Sequence, residues 1–161
     1  MKSRVLRQVI LMNEARSLEF AEMVGGARAL IKAIPPKKPA TVLPFPLKIA
    51  PLLRPLRDKG GNLLRDLQAV LDLSDEQQTD ELLSITLARV SFVLDSLGFF
   101  VKTGDDLFEK GALLPQDWPP EIVSELMTLV DDFEDLQESI ALGLSEEFKK
   151  ELESARAEAQ R

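Results

Sequence analysis

Cysteine, histidine and tyrosine are missing from this sequence, and each absence excludes a kind of chemistry. Without cysteine the chain has no disulfide, no zinc–thiolate site and no thiol nucleophile. Without histidine it lacks the commonest general base and metal ligand, so Ser-His-Asp and Cys-His mechanisms are excluded. We therefore predict a protein that is not an enzyme and has no catalytic residue, metal or cofactor. The missing cysteines also favour a cytoplasmic location.

Glycine-rich phosphate loops are missing as well. Two glycine pairs occur, Gly25-Gly26 and Gly60-Gly61, and neither belongs to a Walker or dinucleotide-binding pattern. We interpret Gly25-Gly26 as a break or bend, which gives two helices or one kinked helix with the boundary near residue 25, because a glycine inside a helix costs about 1 kcal/mol relative to alanine. We interpret Gly60-Gly61 as the break before the helix that follows Asn62.

The composition predicts a single globular domain over residues 1–161. Hydrophobic residues make up 45% of the chain and charged residues 29%, which is ordinary for a protein with a packed core. The charge is uneven. Residues 1–65 hold thirteen Lys/Arg and four Asp/Glu, a net of +9, whereas residues 66–161 hold seven and twenty-three, a net of −16. This asymmetry predicts either two halves that attract each other or a basic surface with its own partner.

The most hydrophobic stretch is Leu82–Val101, where thirteen of twenty residues are large apolar residues or alanine. Ser74 and Gln77 have the spacing of a capping box, so we predict a mostly buried central helix over about 75–101. Charged residues inside the stretch argue against a transmembrane segment, because each costs about 2.5–3.5 kcal/mol to insert. A stripe of mostly small side chains predicts close packing of a neighbouring helix: Ser84, Ala88, Ser91, Asp95 and Gly98.

Apolar residues at three- and four-residue spacing predict further helices over 4–34, after Asn62, over 120–142 and after Ser145. The fold class is therefore all-α, a helical bundle of about five or six helices. The helix over 120–142 has a heptad seam, formed by Ile122, Leu126, Leu129, Phe133, Leu136 and Ile140. Antiparallel packing within the bundle is the default use of this seam, and a homodimer through it is the alternative.

Seven of the ten prolines lie between residues 35 and 55. Because proline removes a backbone donor and clashes with the preceding turn, we predict a proline-rich extended arm over 35–59, packed on the helices. Apolar and basic residues are interleaved with these prolines, so the arm is also a candidate docking strap. The predicted partner-binding residues are Val42, Leu43, Phe45, Leu47, Ile49, Leu52, Leu53, Arg54 and Arg57, together with the single tryptophan, Trp118.

The favoured function is a non-catalytic protein–protein interaction module, either an adaptor, a chaperone-like protein or a regulatory factor. It would use an acidic helical surface and the basic, apolar, proline-rich arm. The alternative is a nucleic-acid-associated or antitoxin-like regulator that binds through the basic segment 28–65. A third, less favoured hypothesis is a metal-dependent hydrolase that uses Asp132, Asp135 and Glu138, since carboxylates at helical spacing bind divalent cations.

Overall fold

The structure is a computed structural model that describes residues 2–34, 49–74 and 76–159. Within these residues the chain forms five α-helices and one 3₁₀ helix and no strand, which confirms the all-α fold class. The helices are α1 (Lys2–Lys32), α2 (Ala50–Gln68), α3 (Asp80–Glu109), α4 (Pro120–Gly143) and α5 (Glu146–Ala159), and the 3₁₀ helix spans Ala69–Asp72.

Four of these helices pack on one another in a closed order. α1 packs on α2, α2 on α4, α4 on α3, and α3 on α1. α1 and α2 are antiparallel, because Glu19 pairs with Lys59 at 3.2 Å and Arg16 pairs with Asp66 further along. The order places two helices that are distant in sequence, α2 and α4, side by side.

α3 and α4 form the second antiparallel pair. The start of α3 meets the end of α4 where Leu83 lies beside Gly143, and the end of α3 meets the connector before α4 where Gly104 lies against Trp118. α2 and α4 run in the same direction, since Arg57 pairs with Glu125 near the start of both helices. Two antiparallel pairs therefore lie side by side.

α4 is the helix that the sequence predicts best. Its observed bounds, 120–143, match the predicted 120–142, because Pro120 occupies the first helical position and a heptad seam follows. Ile122 is half-buried, and the other seam residues are buried inside the chain: Leu126, Leu129, Phe133, Leu136 and Ile140. A homodimer through this seam would require α4 to leave its own core, and it stays an untested alternative.

Of the two alternatives at Gly25-Gly26, a pair of separate helices is wrong, because α1 continues through both residues. The predicted break at Gly60-Gly61 is also wrong, since α2 runs from Ala50 to Gln68. At position 60 a glycine is needed for packing. A Cβ there would lie 2.5 Å from Leu129 Cδ2 and 3.2 Å from the Phe20 ring.

The predicted extended arm over 35–59 is wrong for its last ten residues, which belong to α2. Pro51 lies in the first turn of the helix, where its missing N–H has no intrahelical acceptor in any case. Pro55 lies inside the helix and removes one backbone hydrogen bond. Burial of the nearby Leu53 and Leu56 stabilises the helix at this point. The rest of the arm, residues 35–48, lies outside the described residues.

α3 begins and ends later than the sequence predicts. Its N-cap is Thr79, whose Oγ1 accepts a hydrogen bond from Leu82 N–H at 3.2 Å. The Ser74 and Gln77 pair closes a turn before the helix, where Ser74 N–H donates to Gln77 Oε1 at 3.3 Å. The helix does not stop near Gly104 but continues to Glu109, because residue 104 packs against a neighbour instead of capping the helix.

α5 starts at the predicted position. Ser145 Oγ accepts a hydrogen bond from Phe148 N–H at 3.2 Å, which is an N-cap interaction. Asp80 holds this cap in place, because its carboxylate accepts hydrogen bonds from Ser145 Oγ at 2.7 Å and from Ser145 N–H at 3.1 Å. These two hydrogen bonds, the side-chain one first, lower the pKa of Asp80 below its ordinary value.

Candidate functional site

A groove of about 710 Å³ opens between α3 and α4. The small side chains of Ser84, Ala88 and Ser91 form its α3 wall, and Leu87 and Leu94 add apolar surface. The α4 wall is formed by Glu134, Gln137, Glu138 and Ala141. The groove therefore combines an apolar lining with an acidic rim.

One hydrogen bond crosses this groove. Gln137 Nε2 donates to Ser91 Oγ at 2.8 Å and so fixes the register of α4 against α3. Both side chains are half-buried, so their remaining hydrogen-bonding atoms are partly accessible to solvent. The amide and hydroxyl supply polar contacts beside the two leucines.

Three members of the small-residue stripe on α3, Ser84, Ala88 and Ser91, line this groove opposite α4. The close approach of a neighbouring helix along the whole stripe stays a prediction. If residue 98 carried a Cβ, no atom of the described residues would lie within 4 Å of it. Asp95 is exposed, so the basic partner expected for a buried carboxylate is not required. The bulky core residues of α3 lie on its inner side, and they include Leu83, Val90 and Leu97.

α4 carries all of its charge with one sign. It contains no Lys or Arg and seven exposed acidic residues, which are Glu121, Glu125, Asp131, Asp132, Glu134, Asp135 and Glu138. In the part of the chain that the structure describes, Glu125 is the one member with an ion pair, to Arg57 at 2.6 Å. The acidic rim of the groove consequently faces solvent without compensating cations from the described residues.

This acidic surface was also the candidate metal site. No group of three or more acidic side chains is placed to hold a metal ion within residues 2–34, 49–74 and 76–159. Side chains at 132, 135 and 138 of α4 are all exposed. The metal-dependent hydrolase therefore gains no support from the geometry.

The described members of the predicted partner-binding set have different environments. Ile49, Leu53 and Trp118 are fully buried within the chain, so none of them is presented to a partner. Leu52 is half-buried and Arg54 is exposed. The remaining apolar members lie outside the described residues: Val42, Leu43, Phe45 and Leu47.

Arg57, the last predicted partner-binding residue, is engaged within the chain. Its Nη1 donates to Glu125 Oε2 at 2.6 Å and its Nε donates to Asp58 Oδ1 at 3.0 Å. These hydrogen bonds, the one to Glu125 first, raise the pKa of Arg57 above its ordinary value. Its guanidinium joins α2 to α4 and is not held free for a phosphate.

Two more members of the basic segment 28–65 also have neighbours. Lys59 pairs with Glu19, and the Lys32 ammonium lies 5.4 Å from the centre of the Phe99 ring. Arg57 and Lys59 therefore already have carboxylate partners within the chain, and nucleic-acid binding through this segment stays a prediction.

Sequence reasoning missed the apolar lining of the groove and the exposed apolar residues on the outside of α3. Ile85, Phe92 and Phe99 are 45%, 55% and 42% exposed, although the stretch that contains them was expected to be mostly buried. Their spacing of seven residues was the available signal, because it places them along one side of a helix. The general hydrophobicity of the stretch obscured that pattern.

α3 is also long and apolar enough to cross a membrane, with a mean hydropathy of 1.5 over its most apolar 18 residues. The core helix of a soluble protein has the same properties. α3 contacts both α1 and α4 and contributes Val90, Val93, Leu97 and Phe100 to the core.

Comparison of the chain with protein-family models, with curated proteins and with solved structures finds no match. A function for this chain therefore has to be inferred from the groove and from the surfaces around it.

Proposed function

We propose that this all-α chain is a non-catalytic protein–protein interaction module that acts as a helical bundle in the cytoplasm. Its binding site is the groove between α3 and α4, and its partner is a basic protein segment with apolar side chains. The observation that carries the proposal is the combination of one-sign charge on α4 with an apolar groove beside it.

Electrostatics determines the class of partner. Like charges three and four residues apart on one helix repel each other, so the acidic residues of α4 lower the stability of the free chain. A basic partner removes that repulsion and gains favourable charge pairs at the rim, whereas a nucleic acid is repelled. A surface that is unfavourable in isolation and favourable in a complex is expected of a binding site.

The apolar lining of the groove determines a second property of the partner, which is that it carries hydrophobic side chains. Leu87 and Leu94 offer area to a hydrophobic side chain, and burial of apolar surface contributes about 25 cal/mol per Å². The polar pair Ser91 and Gln137 lies between them and would accept or donate hydrogen bonds to the partner. The site therefore fits an amphipathic segment better than a purely polar one.

The test uses the full chain as bait and identifies captured proteins by mass spectrometry. The variant Glu134→Gln/Glu138→Gln neutralises the rim, and Glu151→Gln/Glu153→Gln removes the same charge from α5 as a matched control. We expect a basic partner whose purified form binds the wild type and the control equally and the rim variant at least tenfold more weakly. Binding should also weaken as salt concentration rises.

Two results would overturn the proposal. One is a capture experiment that yields no basic protein. The other is a partner that binds the rim variant as tightly as the wild type, which would place the site elsewhere on the chain.

The predicted proline-rich arm has no separate role in this proposal. Its residues 35–48 lie outside the described residues, and docking through them stays a prediction.

A further inference from the structure

A second cavity, of about 430 Å³, lies between α3 and α4 toward the end of α3. Its lining on α3 starts at Gly98, one turn after Leu94 of the groove described above, and on α4 the two linings come just as close, at Asp131 and Glu134. Residues three or four positions apart in a helix lie on the same face, so the two cavities continue each other. The long groove, as we call them together, runs along residues 84–109 of α3 and 127–141 of α4.

The α3 wall of the long groove follows a heptad repeat. Each member of the repeat comes one position after a buried core residue, which turns it by about 100° around the helix axis. The wall is therefore a second seam of α3, separate from the seam that faces the core. Steps of three and four residues alternate in it: Ser84, Leu87, Ser91, Leu94, Gly98 and Val101.

The α4 wall has the same construction. Its members also follow the buried core residues of α4 by one position, and they are Met127, Val130, Glu134, Gln137 and Ala141. Because α3 and α4 are antiparallel, the same offset turns both second seams toward one side of the helix pair. Two heptad seams that meet in a groove form the surface against which a third helix packs in a bundle.

Small and aliphatic side chains alternate along the α3 seam. Ser91 and Gly98 leave open spaces, and a Cβ at residue 98 would meet no atom of the described residues within 4 Å. Leu87 and Leu94, which alternate with them, are half-buried, and Met127 on the opposite wall is 40% exposed. Large side chains of a partner helix would fill the spaces and cover the aliphatic residues, as knobs fill holes in a coiled coil.

The long groove is acidic in both of its parts. Glu134 and Glu138 line the first part, which has no basic residue in its lining. The lining of the second part has one basic residue, Lys102, and four acidic ones, a net charge of −3: Asp105, Asp106, Glu109 and Asp131. Charge complementarity therefore requires an occupant that is basic along its whole length.

We infer that the partner at this site is a basic amphipathic α-helix of another protein, which lies along the whole long groove and packs by heptads against α3 and α4. Residues 84–109 span about 38 Å at 1.5 Å per residue, so the bound helix has about 25 residues. Its large apolar side chains fill the spaces at Ser84, Ser91 and Gly98, and its Lys and Arg residues flank them. This inference rests on the proposed function and adds the conformation, length and register of the partner.

The helix that follows α4 in the chain does not fit the groove. α5 (Glu146–Ala159) holds five acidic and three basic residues, a net charge of −2. The acidic walls repel a helix of that charge. The basic helix therefore comes from a different chain.

The primary test measures the affinity of a synthetic peptide of about 25 residues for the full chain by isothermal titration calorimetry. The peptide has leucine at heptad positions a and d, lysine at e and g, and alanine or glutamine elsewhere. Circular dichroism should show that it becomes helical when it binds. A matched peptide with proline in place of one central alanine keeps the charge and the apolar seam, and it should bind about tenfold more weakly because proline breaks the helix.

Two variants test whether the helix contacts both parts of the groove. Ser84→Leu fills space in the first part and Gly98→Leu fills space in the second, and each should weaken peptide binding about tenfold. Ser139→Leu is the matched control, because residue 139 is exposed on α4 and lies outside both linings. Thermal unfolding verifies that each variant is folded before its affinity is compared.

Four outcomes would overturn the inference. Neither peptide binds, the proline peptide binds as tightly as the helical one, or Gly98→Leu binds the helical peptide as tightly as the wild type. The fourth is self-association of the chain that Gly98→Leu abolishes, which would assign the groove to a second copy.

The failure of this inference is distinguishable from the failure of the proposed function. If a captured basic protein loses affinity for Glu134→Gln/Glu138→Gln but binds Gly98→Leu normally, the proposed function stands and the long helix is wrong. If the capture yields no basic protein, the proposed function itself is wrong.

Discussion

The indole ring of Trp118 lies against Gly104 of α3, in the space that a side chain at position 104 would occupy. Trp118 Nε1 donates a hydrogen bond to Asp105 Oδ1 at 2.8 Å, and its ring meets Phe100 edge-on with centroids 5.5 Å apart. These contacts fix the connector before α4 to the last turns of α3. Trp118 therefore seals one end of the core, and Gly104 is the residue that admits it.

Gly104→Ala should destabilise the chain by about 1–3 kcal/mol, because overpacking against a buried indole exceeds the gain in helix propensity. Gly98→Ala is the matched control on the same helix. Its Cβ meets no atom of the described residues within 4 Å, so it should stabilise the chain by up to about 1 kcal/mol. Urea unfolding measures both, and equal stability of the two variants would contradict the packing.

Gly60→Ala tests the contact among α1, α2 and α4. Its Cβ would meet Leu129 Cδ2 and the Phe20 ring, but a leucine methyl group moves more easily than a buried indole. We expect destabilisation of about 1 kcal/mol, smaller than for Gly104→Ala. Gly61→Ala, whose Cβ meets no described atom within 4 Å, should stabilise α2. A reversed order of the two alanine variants in urea unfolding would show that α2 packs differently.

The hydrogen bonds between Asp80 and Ser145 predict a pH dependence of α5. Because the folded pKa of Asp80 is lowered, its contribution is present above the ordinary Asp pKa and is lost as pH falls through the folded value. Ser145→Ala should raise the pKa of Asp80 toward its ordinary value in a carboxyl NMR titration. Amide exchange in α5 should quicken in that variant, and an unshifted titration would exclude the interaction.

Neutralising the groove rim should stabilise the free chain. Glu134→Gln/Glu138→Gln relieves like-charge pairs at three- and four-residue spacing, each worth about 0.2–0.5 kcal/mol. We expect a total gain on the order of 1 kcal/mol at low salt, shrinking as salt screens the repulsion. The control Glu151→Gln/Glu153→Gln should show no gain, because residue 153 lies within reach of Lys149 and Lys150. Thermal unfolding at two ionic strengths measures the difference.

The sequence predicts helices well where the local signals agree with the packing. The periodic seam of α4 coincides with Pro120 at its start, and the cap at Ser145 has the partners that its residue type requires. Both signals relate residues that are three to seven positions apart, so they can be recognised from local sequence patterns.

The sequence mispredicts helix boundaries where a residue makes a contact with a part of the chain that is distant in sequence. Gly60 and Gly104 have the appearance of helix breakers, yet each lies inside a helix because a side chain from another element needs the room. The groove between α3 and α4 is equally invisible to local patterns. Its two walls come from different helices, and small residues of α3 form one of them.

The pairing of α1 with α2 and of α3 with α4 divides the molecule close to the point where the net charge of the chain changes sign. The first pair lies within a cationic half and the second within a strongly anionic half. During folding, each antiparallel pair forms through contacts between helices that are consecutive in the chain. The contacts of α1 with α3 and of α2 with α4 form only when the two halves pack together. That encounter is steered by long-range attraction, so the docking step of folding should be faster in dilute buffer than in high salt.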